Sequence, residues 1–308
     1  GTYGKTSSSA LLAWTFMEVG KDPSYMFGGL TQTDFPSAAL ADSDWSILEG
    51  DEYKSARWDN GPKFAHYKPK YLLLTAVSWD HVDVYPTEES YFDAFQGLVE
   101  SVPNDGIIAV STNNSAALNL AATRQGGPLI ITYGTDAEAI YRYENVEQSA
   151  NGLEFEIIYQ GETFTITCPL LGSYQAENIT GAFALASELT IEPQKIVEAI
   201  ASGPGSKRRL EKPVDGIVTV YDDIAHSPAK AKSVLETVRA IYDGKIIAVF
   251  EPNTGNRKPD SKPLYSDAFI DADEVVIPRL TKVKVDADDE APPFDGEELA
   301  QTISETHD

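Results

Sequence analysis

The sequence contains few residues of several types, and each shortage excludes a class of protein. A single cysteine, Cys168, rules out an internal disulfide framework. We interpret Cys168 as a small apolar residue in a strand-like run, residues 163–168. No run of about 18 apolar residues and no signal-peptide pattern is present, so this sequence predicts no membrane span. One unpaired thiol suits a reducing compartment, and we expect a cytoplasmic protein.

Basic residues are also scarce. The chain has 24 Lys and Arg against 48 Asp and Glu, which gives a net charge of −24. Proteins that bind nucleic acid gain affinity from clustered cations that displace counterions, so neither nucleic acid nor an anionic membrane is expected as a partner. The 42% hydrophobic content is that of a globular protein, and 308 residues suffice for two domains with cores of their own.

The order of apolar runs predicts an α/β fold with a largely parallel sheet. Short buried-strand runs at 45–48, 71–77, 107–110 and 129–132 alternate with helical spacing at 6–18, 88–99 and 115–124. Residues 139–168 differ, because alternation around an Asn-Gly turn at 151–152 predicts a small antiparallel excursion. Two helices, 175–188 and 193–201, follow.

A Gly- and Pro-rich segment, Ser202 to Ser206, is the best linker in the sequence. It predicts two domains, residues 1–204 and 205–308. The second domain repeats the α/β pattern with strands at 217–221, 245–250 and 274–277 and helices at 229–242 and 296–303.

The first six residues, Gly1-Thr2-Tyr3-Gly4-Lys5-Thr6, match the second half of a phosphate-binding loop that leads into a helix. The glycines let backbone N–H groups face phosphate oxygens, Lys5 neutralises phosphate charge, and the hydroxyl of Thr6 can ligate Mg²⁺. The strand that normally precedes such a loop would lie before Gly1. We therefore expect a piece of a longer protein, with a gap in its sheet. Taken alone, a Gly-Lys-Thr tripeptide also occurs by chance.

Two further candidates lie at the carboxyl ends of strands, where ligands bind in open α/β sheets. Glu49 follows the apolar run 45–48 and suits Mg²⁺, although acidic loops are more often simply solvated. Asp80-His81 follows the strand run 71–77, and His81 is a candidate metal ligand or phosphate neighbour. A lone histidine is more often structural.

Together these motifs occur in the order and spacing of the Mur ligase family, which the sequence resembles over essentially its whole length. Later segments agree: residues 171–178 resemble the helix start near the adenine, Arg208-Arg209 an arginine pair, and 221–228 the family's Asp-Asp element. Glu52-Tyr53, residues 63–67 and Glu251-Pro252 most resemble the muropeptide-recycling branch, with the L-alanine-adding branch as the alternative. The resemblance also implies that the second domain, residues 205–308, is an incomplete Rossmann-like α/β domain.

The resemblance implies an ATP- and Mg²⁺-dependent ligase of peptidoglycan metabolism. Such enzymes activate a carboxylate as an acyl phosphate, which an amine then attacks to form an amide. The implied substrates are UDP-N-acetylmuramate and a peptide, L-alanyl-γ-D-glutamyl-meso-diaminopimelate, or an amino acid. The family's N-terminal UDP-sugar domain is missing from this sequence, so we expect the 308 residues alone to be inactive. A non-ligating nucleotide-binding module or ATPase is a further alternative.

The resemblance also implies residue roles. The nucleotide would contact Gly1, Thr2, Gly4, Lys5, Thr6, Ser7, Asn178, Arg209 and Asp223, with Asn178 near the adenine, Arg209 at the γ-phosphate and Asp223 at the ribose. Thr6 and Glu49 would hold one Mg²⁺, and Glu49 with His81 a second; Lys5, Glu49, His81 and Arg209 would be catalytic. Several positions depart from the family pattern: Tyr3, Gly50, Ala76, Ser78, Gln175, Ser227 and Asn253-Thr254-Gly255. The last group puts the identity of the amine substrate in question.

Overall fold

The computed structural model describes residues 1–81, 84–280 and 293–307. The chain folds into two compact units. The first comprises Gly1–Glu147 and Asn151–Lys207, and the second comprises Arg208–Asp308 with Gln148–Ala150. None of the described helices combines the length and apolar character that crossing a bilayer requires.

The first unit is a mixed α/β structure. Its helices are α1 (Lys5–Glu18), α2 (Glu88–Ser101), α3 (Ser115–Ala122), α4 (Tyr174–Glu188) and α5 (Pro193–Ala201), with a 3₁₀ turn at Lys63–His66. Its strands are β1 (Ser24–Met26), β2 (Ala38–Ala39), β3 (Ser46–Leu48), β4 (Lys54–Ala56), β5 (Asp59–Pro62), β6 (Tyr71–Leu74), β7 (Ile107–Ser111), β8 (Leu129–Gly134), β9 (Tyr141–Ser149), β10 (Gly152–Tyr159) and β11 (Glu162–Cys168).

A six-stranded sheet in the order β11-β10-β9-β8-β7-β6 forms the centre of this unit. Strands β6, β7 and β8 are parallel, as the apolar runs predict, and β7 is buried along its whole length. Strand β9 also pairs parallel with β8, although it lies in the segment predicted to be antiparallel. Helix α4 covers one face with Ile179, Phe183 and Leu185, while Phe95 and Val99 of α2 belong to a second core cluster with Val110. The predicted α/β fold with a parallel-dominated sheet is confirmed.

The antiparallel excursion also has the predicted hairpin form. Strand β10 pairs with β11 in the register Leu153↔Cys168 to Tyr159↔Glu162. Phe155 and Ile157 point into the core while Glu154 is exposed, which is the period-two pattern of a strand with one buried face. The thiol of Cys168 is buried, and this burial raises its pKa.

Strands β1, β2 and β3 form a separate three-stranded sheet in the order β2-β1-β3. A cavity of about 610 Å³ lies between this sheet and the edge of the six-stranded sheet. Apolar side chains from both line it, among them Trp45 and Ile47 beside β3, Leu73 of β6 and Phe16 of α1. Within the described residues β3 pairs only with β1, and β6 pairs only with β7. The two strands that flank the cavity are therefore sheet edges.

The second unit has shorter strands. It contains β12 (Glu211–Val214), β13 (Val220–Asp222), β14 (Ile247–Val249) and β15 (Glu274–Val276), with helices α6 (Pro228–Ile241) and α7 (Gly296–Ser304) and 3₁₀ segments at Thr254–Arg257 and Pro259–Tyr265. Strands β12 and β13 pair antiparallel, and β14 and β15 pair parallel. Leu235, Phe250, Tyr265, Phe269 and Leu299 belong to its core.

Several predicted bounds differ from the structure. The strand predicted at 71–77 ends at Leu74. The residues after Leu74 bond to the phosphate loop instead: the carbonyl of Ala76 accepts from the N–H of Thr2, and the side chain of Thr75 donates to the carbonyl of Tyr3. The strand predicted at 217–221 begins only at Val220. Strands β1, β2, β4, β5 and β12 have no prediction, since each is four residues or shorter. Residues 281–292, which precede the predicted helix at 296–303, lie outside the described residues.

Candidate active site

The loop that precedes α1 adopts the backbone needed for a phosphate loop. Gly4 has φ 78°, in the left-handed region that favours glycine, and it is the N-cap of a 14-residue helix. The helix start has no side-chain cap, so the first backbone N–H groups of α1 are not capped by a side chain. Such an uncapped N-terminus attracts anions through its N–H groups and its dipole.

The loop is fastened to the residues that follow β6. The N–H of Thr2 donates to the carbonyl of Ala76 at 2.6 Å, and the N–H of Ser78 donates to Thr2 Oγ1 at 2.9 Å. Thr2 Oγ1 also bonds the phenol of Tyr91 at 2.8 Å, and Thr75 Oγ1 donates to the carbonyl of Tyr3 at 2.5 Å. These bonds fix the loop against the carboxyl end of a core strand.

Asn178 lies against the same loop from α4. A methyl group added at Gly4 would come within 2.1 Å of Asn178 Oδ1, so the backbone and this amide are in close contact. The side-chain amide of Asn178 donates to Gln175 Oε1 at 3.2 Å, and both side chains are buried. The structure thus brings the predicted Asn178 to the phosphate loop and gives the departure at Gln175 a role in orienting it.

Thr6 and Glu49 meet directly after the loop. Thr6 Oγ1 donates to Glu49 Oε1 at 3.1 Å, and the N–H of Gly28 donates to Glu49 Oε2 at 2.6 Å. Glu49 follows β3, and its own N–H bonds the carbonyl of Met26 at 2.9 Å. A hydroxyl beside a carboxylate is a pair of hard oxygen ligands, the type that Mg²⁺ prefers.

Lys5 is paired with a glutamate that is completely buried. Lys5 Nζ donates to Glu52 Oε1 at 2.6 Å and to the carbonyl of Thr2 at 3.2 Å. His81 Nε2 lies 3.5 Å from the same oxygen of Glu52, and His81 has φ 56°. The phenol of Tyr85 donates to the backbone carbonyl of Glu52 at 2.6 Å. The structure therefore joins the two predicted residues Lys5 and His81 through Glu52.

The electrostatics of this cluster follow from burial and pairing. Burial raises the pKa of Glu52, but the hydrogen bond with His81 and the charge of Lys5 outweigh it, so the pKa lies below its usual value. The bond to Glu52 raises the pKa of His81 against the opposing effect of burial. Burial raises the pKa of Tyr85 to about 12, with the charge of Glu52 acting in the same direction. Glu52 is thus an anion at neutral pH.

The predicted residues of the second unit lie in turns next to β12 and β13. Asp223 accepts hydrogen bonds from the N–H of Leu210 at 2.9 Å and of Ala225 at 2.7 Å, so it joins two loops. Arg208 Nε lies 3.6 Å from Asp222 Oδ2 in an exposed ion pair. Arg209 is half-buried and lies between Arg208 and Leu210 in sequence. Asp223 thus fixes the backbone next to Arg209.

The segment that departs from the family pattern at 253–255 begins a 3₁₀ turn. Asn253 Oδ1 accepts from the N–H of Asn256 at 3.1 Å, which caps the turn. Arg257 is buried, and its Nε and Nη2 donate to the carbonyl of Phe294 at 3.1 and 3.0 Å. Arg257 therefore holds the segment before α7 and is not presented at the surface.

Sequence reasoning singles out neither Glu52 as a site residue nor the fastening residues Thr75 and Tyr91. Glu52 belongs to the acidic run that follows β3, but its burial depends on Tyr85 and on α2, which are distant in sequence. A fully buried carboxylate is rare, and an acidic run at a strand end is normally solvated. Only the tertiary structure distinguishes Glu52 from its more exposed neighbours.

The residues present suit a nucleotide with Mg²⁺. The uncapped start of α1, the tight approach at Gly4 and the ammonium of Lys5 provide for phosphate, and Thr6 with Glu49 provides hard oxygen ligands. Among the described residues no group of three or more His, Cys, Asp or Glu could hold a metal by protein ligands alone. This agrees with Mg²⁺, which usually keeps waters and phosphate oxygens in its shell.

Comparison with known families identifies the chain. Residues 1–186 match the model of the Mur ligase middle domain, which is more than half of the 308 residues. The chain belongs to the Mur ligase family. Residues 208–307 match a second model, described as the Mur ligase glutamate ligase domain. The family resemblance inferred from the motifs is confirmed.

Similar curated Mur ligases carry the name UDP-N-acetylmuramate–L-alanine ligase. The protein from Phenylobacterium zucineum is 30% identical over 284 residues, covering 90% of this chain and 58% of the relative. The protein from Xanthobacter autotrophicus is 31% identical over 286 residues, covering 90% and 59%. The chain thus spans under two thirds of the length of these relatives.

Solved Mur ligase structures share the fold. The UDP-N-acetylmuramate–alanine ligase of Thermotoga maritima has a TM-score of 0.78 at 20% identity, covering 99% of this chain and 63% of that one. The UDP-N-acetylmuramate:L-alanyl-γ-D-glutamyl-meso-diaminopimelate ligase of Neisseria meningitides has a TM-score of 0.60 at 25% identity, covering 68% and 65%.

Proposed function

We propose that the whole protein is an ATP-dependent ligase that joins the carboxylate of UDP-N-acetylmuramate to the amino group of L-alanine in the cytoplasm. The observation that carries this proposal is the phosphate loop with Lys5 on Glu52 and Thr6 on Glu49. The names of the curated relatives favour L-alanine as the amine.

In this proposal the chain's own residues bind and orient the nucleotide. Lys5 and the N–H groups at the start of α1 neutralise phosphate charge, with Gly1, Thr2, Gly4 and Ser7 forming the surrounding loop. Thr6 and Glu49 would hold Mg²⁺, with His81 at a second ion. Bound Mg²⁺ would supply further charge neutralisation on the phosphates, and such transfers depend mostly on positioning and electrostatics.

The remaining predicted residues have supporting roles. Asn178 would approach the adenine from α4, while Arg209 would reach the γ-phosphate and Asp223 the ribose. The carboxylate of the muramate attacks the γ-phosphorus and ADP leaves. The amine then attacks the acyl carbon, and inorganic phosphate leaves as the amide forms.

A second candidate amine is the peptide L-alanyl-γ-D-glutamyl-meso-diaminopimelate. Two sequence features favour it: residues Lys63 to Tyr67, and Glu251-Pro252 after β14. The Neisseria meningitides structure adds support at 25% identity. The replacement at Asn253 argues in the other direction, since it alters the segment that follows Glu251-Pro252 in the recycling branch.

Phosphate release by the complete gene product, with ATP, Mg²⁺ and UDP-N-acetylmuramate, separates these candidates. We expect release to depend on L-alanine, and mass spectrometry to detect the UDP-muramoyl-alanine product. Release that depends on the tripeptide instead would select the second candidate. ADP formation that is indifferent to both the nucleotide sugar and the amine would contradict ligation and indicate a simple ATPase.

A further inference from the structure

Glu52 is a charged side chain in an unusual setting. It is completely buried, and only one of its carboxylate oxygens is used: Oε1 meets Lys5 at 2.6 Å and His81 at 3.5 Å. Its Oε2 is buried without a hydrogen-bond partner among the described residues. Burying a carboxylate in this way adds little to stability, because the cost of desolvation offsets much of its attraction to Lys5 and His81. The burial of Glu52 therefore points to a role other than stability.

The backbone around Glu52 is held as firmly as its side chain. Tyr85, which is itself buried, donates to the carbonyl of Glu52 at 2.6 Å. The preceding residue, Asp51, accepts from Lys63 at 2.6 Å, and its carbonyl accepts from the N–H of Phe64. Because both the backbone and the side chain of Glu52 are fixed, the Lys5 ammonium that its carboxylate binds has one defined position.

We infer that Glu52 is a positioning residue, which holds the Lys5 ammonium at the mouth of the phosphate loop and orients His81 from the same oxygen. This inference rests on the proposed function, because it assigns Glu52 a role in phosphoryl transfer. Lys5 has three N–H donors, and its bonds to Glu52 and Thr2 use two of them. One donor can thus meet a phosphate oxygen without breaking the pair.

The expected kinetic effect has a definite form. Removing the charge of Glu52 leaves more net positive charge near the loop, so binding of Mg·ATP does not weaken for electrostatic reasons. Without the carboxylate of Glu52, Lys5 is instead misplaced at the moment when charge develops in the transition state. Protein kinases likewise use an acidic residue to hold the lysine that binds phosphate. We therefore expect the substitution of Glu52 to lower kcat and to leave the affinity for Mg·ATP unchanged.

The experiment compares Glu52→Gln with Asp105→Asn in the complete gene product. Gln keeps the size and one acceptor oxygen, and Asp105→Asn removes one negative charge from an exposed ion pair with Lys70. We expect Glu52→Gln to lower kcat on the order of 10- to 100-fold with the Kd of Mg·ATP within about threefold. Asp105→Asn is expected to stay within about twofold on both the kcat and the Kd of Mg·ATP. A Glu52→Gln kcat within about twofold of wild type overturns the inference.

A second arm needs no catalysis. Lys5→Met removes the 2.6 Å ion pair and leaves the buried Glu52 with the longer contact to His81 at 3.5 Å. Its Tm is therefore expected to fall by roughly 5 °C, and adding Glu52→Gln is expected to restore most of that loss. A double variant no more stable than Lys5→Met overturns the pairing. If Glu52→Gln does not fold, Glu52→Asp, which keeps the charge on a shorter side chain, is judged by the same kcat limit.

The two proposals fail in different ways. If the wild-type protein ligates neither amine, the proposed function is wrong, and the Tm comparison still decides whether Glu52 and Lys5 act as a pair. If wild type ligates normally and Glu52→Gln does too, the function stands and the positioning role is wrong.

Discussion

The two units of the chain differ in how they hold their candidate site residues. In the first, Lys5 pairs with the buried Glu52 and Asn178 with the buried Gln175, while Thr6 and the N–H of Gly28 hold Glu49. In the second, Arg209 and Asp223 lie in turns beside two strands of three and four residues, and Asp223 bonds the N–H groups of Leu210 and Ala225. Buried side chains therefore hold two of the candidates in the first unit, while turns carry those of the second.

This difference agrees with the chemistry proposed for each unit. Hydrogen-bond donors neutralise the charge of a transferring phosphoryl group best when they do not have to reorganise during the reaction. A rigid core is therefore the suitable place for such donors. Residues in turns beside short strands are less tightly held by core packing. Four changes, taken from the largest expected effect to the smallest, sharpen this comparison.

Lys5→Ala is expected to have the largest effect. It removes the phosphate-facing ammonium, and loss of one such group costs on the order of 10²- to 10³-fold in kcat. It also removes the 2.6 Å ion pair of the buried Glu52, at a cost of about 3 to 5 kcal/mol in stability. Steady-state phosphate release and thermal unfolding measure the two effects. Lys70→Ala is the control, because Lys70 pairs with Asp105 in an exposed ion pair. Equal losses in both variants would contradict the assignment of Lys5.

Gly4→Ala tests the backbone of the loop. Gly4 has φ 78°, and its new Cβ would meet Asn178 Oδ1 at 2.1 Å. We expect a loss of about 2 to 3 kcal/mol in unfolding free energy and weaker Mg·ATP binding, measured by denaturant titration and calorimetry.

Gly126→Ala is the matched control for Gly4, since Gly126 has φ 83° and open space around it. It is expected to cost only the backbone strain of about 1 to 2 kcal/mol and to leave ATP affinity unchanged. If the two variants behaved alike, the contact with Asn178 would have no energetic significance.

Arg257→Met tests the second unit. The variant keeps a long apolar side chain but leaves the carbonyl of Phe294 without its two donors. An unsatisfied buried acceptor costs about 1 to 3 kcal/mol. Denaturant titration should detect this loss, with the Kd of Mg·ATP unchanged. A loss of ATP affinity without loss of stability would instead support a direct role in substrate binding.

Asp273→Asn is expected to have the smallest effect. The N–H of Ile246 and then the guanidinium of Arg239 lower the pKa of Asp273 in the folded state. A lowered pKa gives stability that is present above the ordinary value of 3.8 and is lost as pH falls through the folded value. The wild type should thus lose more Tm than the variant between pH 5 and acid conditions. Identical profiles of Tm against pH for the two proteins would show that the Asp273–Arg239 pair contributes nothing to stability.

The sequence predicted the elements whose pattern is local. Apolar runs located β7 and β8, the Asn-Gly turn located the β10 hairpin, and Pro193 marked the start of α5. The phosphate loop was found because its glycines and Lys5 are adjacent in sequence. Each of these signals spans only a few residues, so it needs no knowledge of tertiary structure.

What the sequence did not predict depends on contacts between distant residues. Glu52 reads as one more carboxylate in an acidic loop until Tyr85 and Lys5 bury it. Arg257 lies close in sequence to the departing segment at 253–255, and nothing local indicates that its donors meet the carbonyl of Phe294, 37 residues later. Strands such as β1 and β4 are three residues long, too short for periodicity to distinguish.

The cavity between β3 and β6 has a consequence for handling the chain in solution. Edge strands present unpaired backbone N–H and C=O groups, which act as templates for strands of other molecules. Here two such edges face one apolar slot of about 610 Å³. Lys68 and Lys70 lie at its rim, and charged residues beside an exposed edge oppose self-association. The positive charges of Lys68 and Lys70 therefore oppose the pairing of this edge with strands of other molecules.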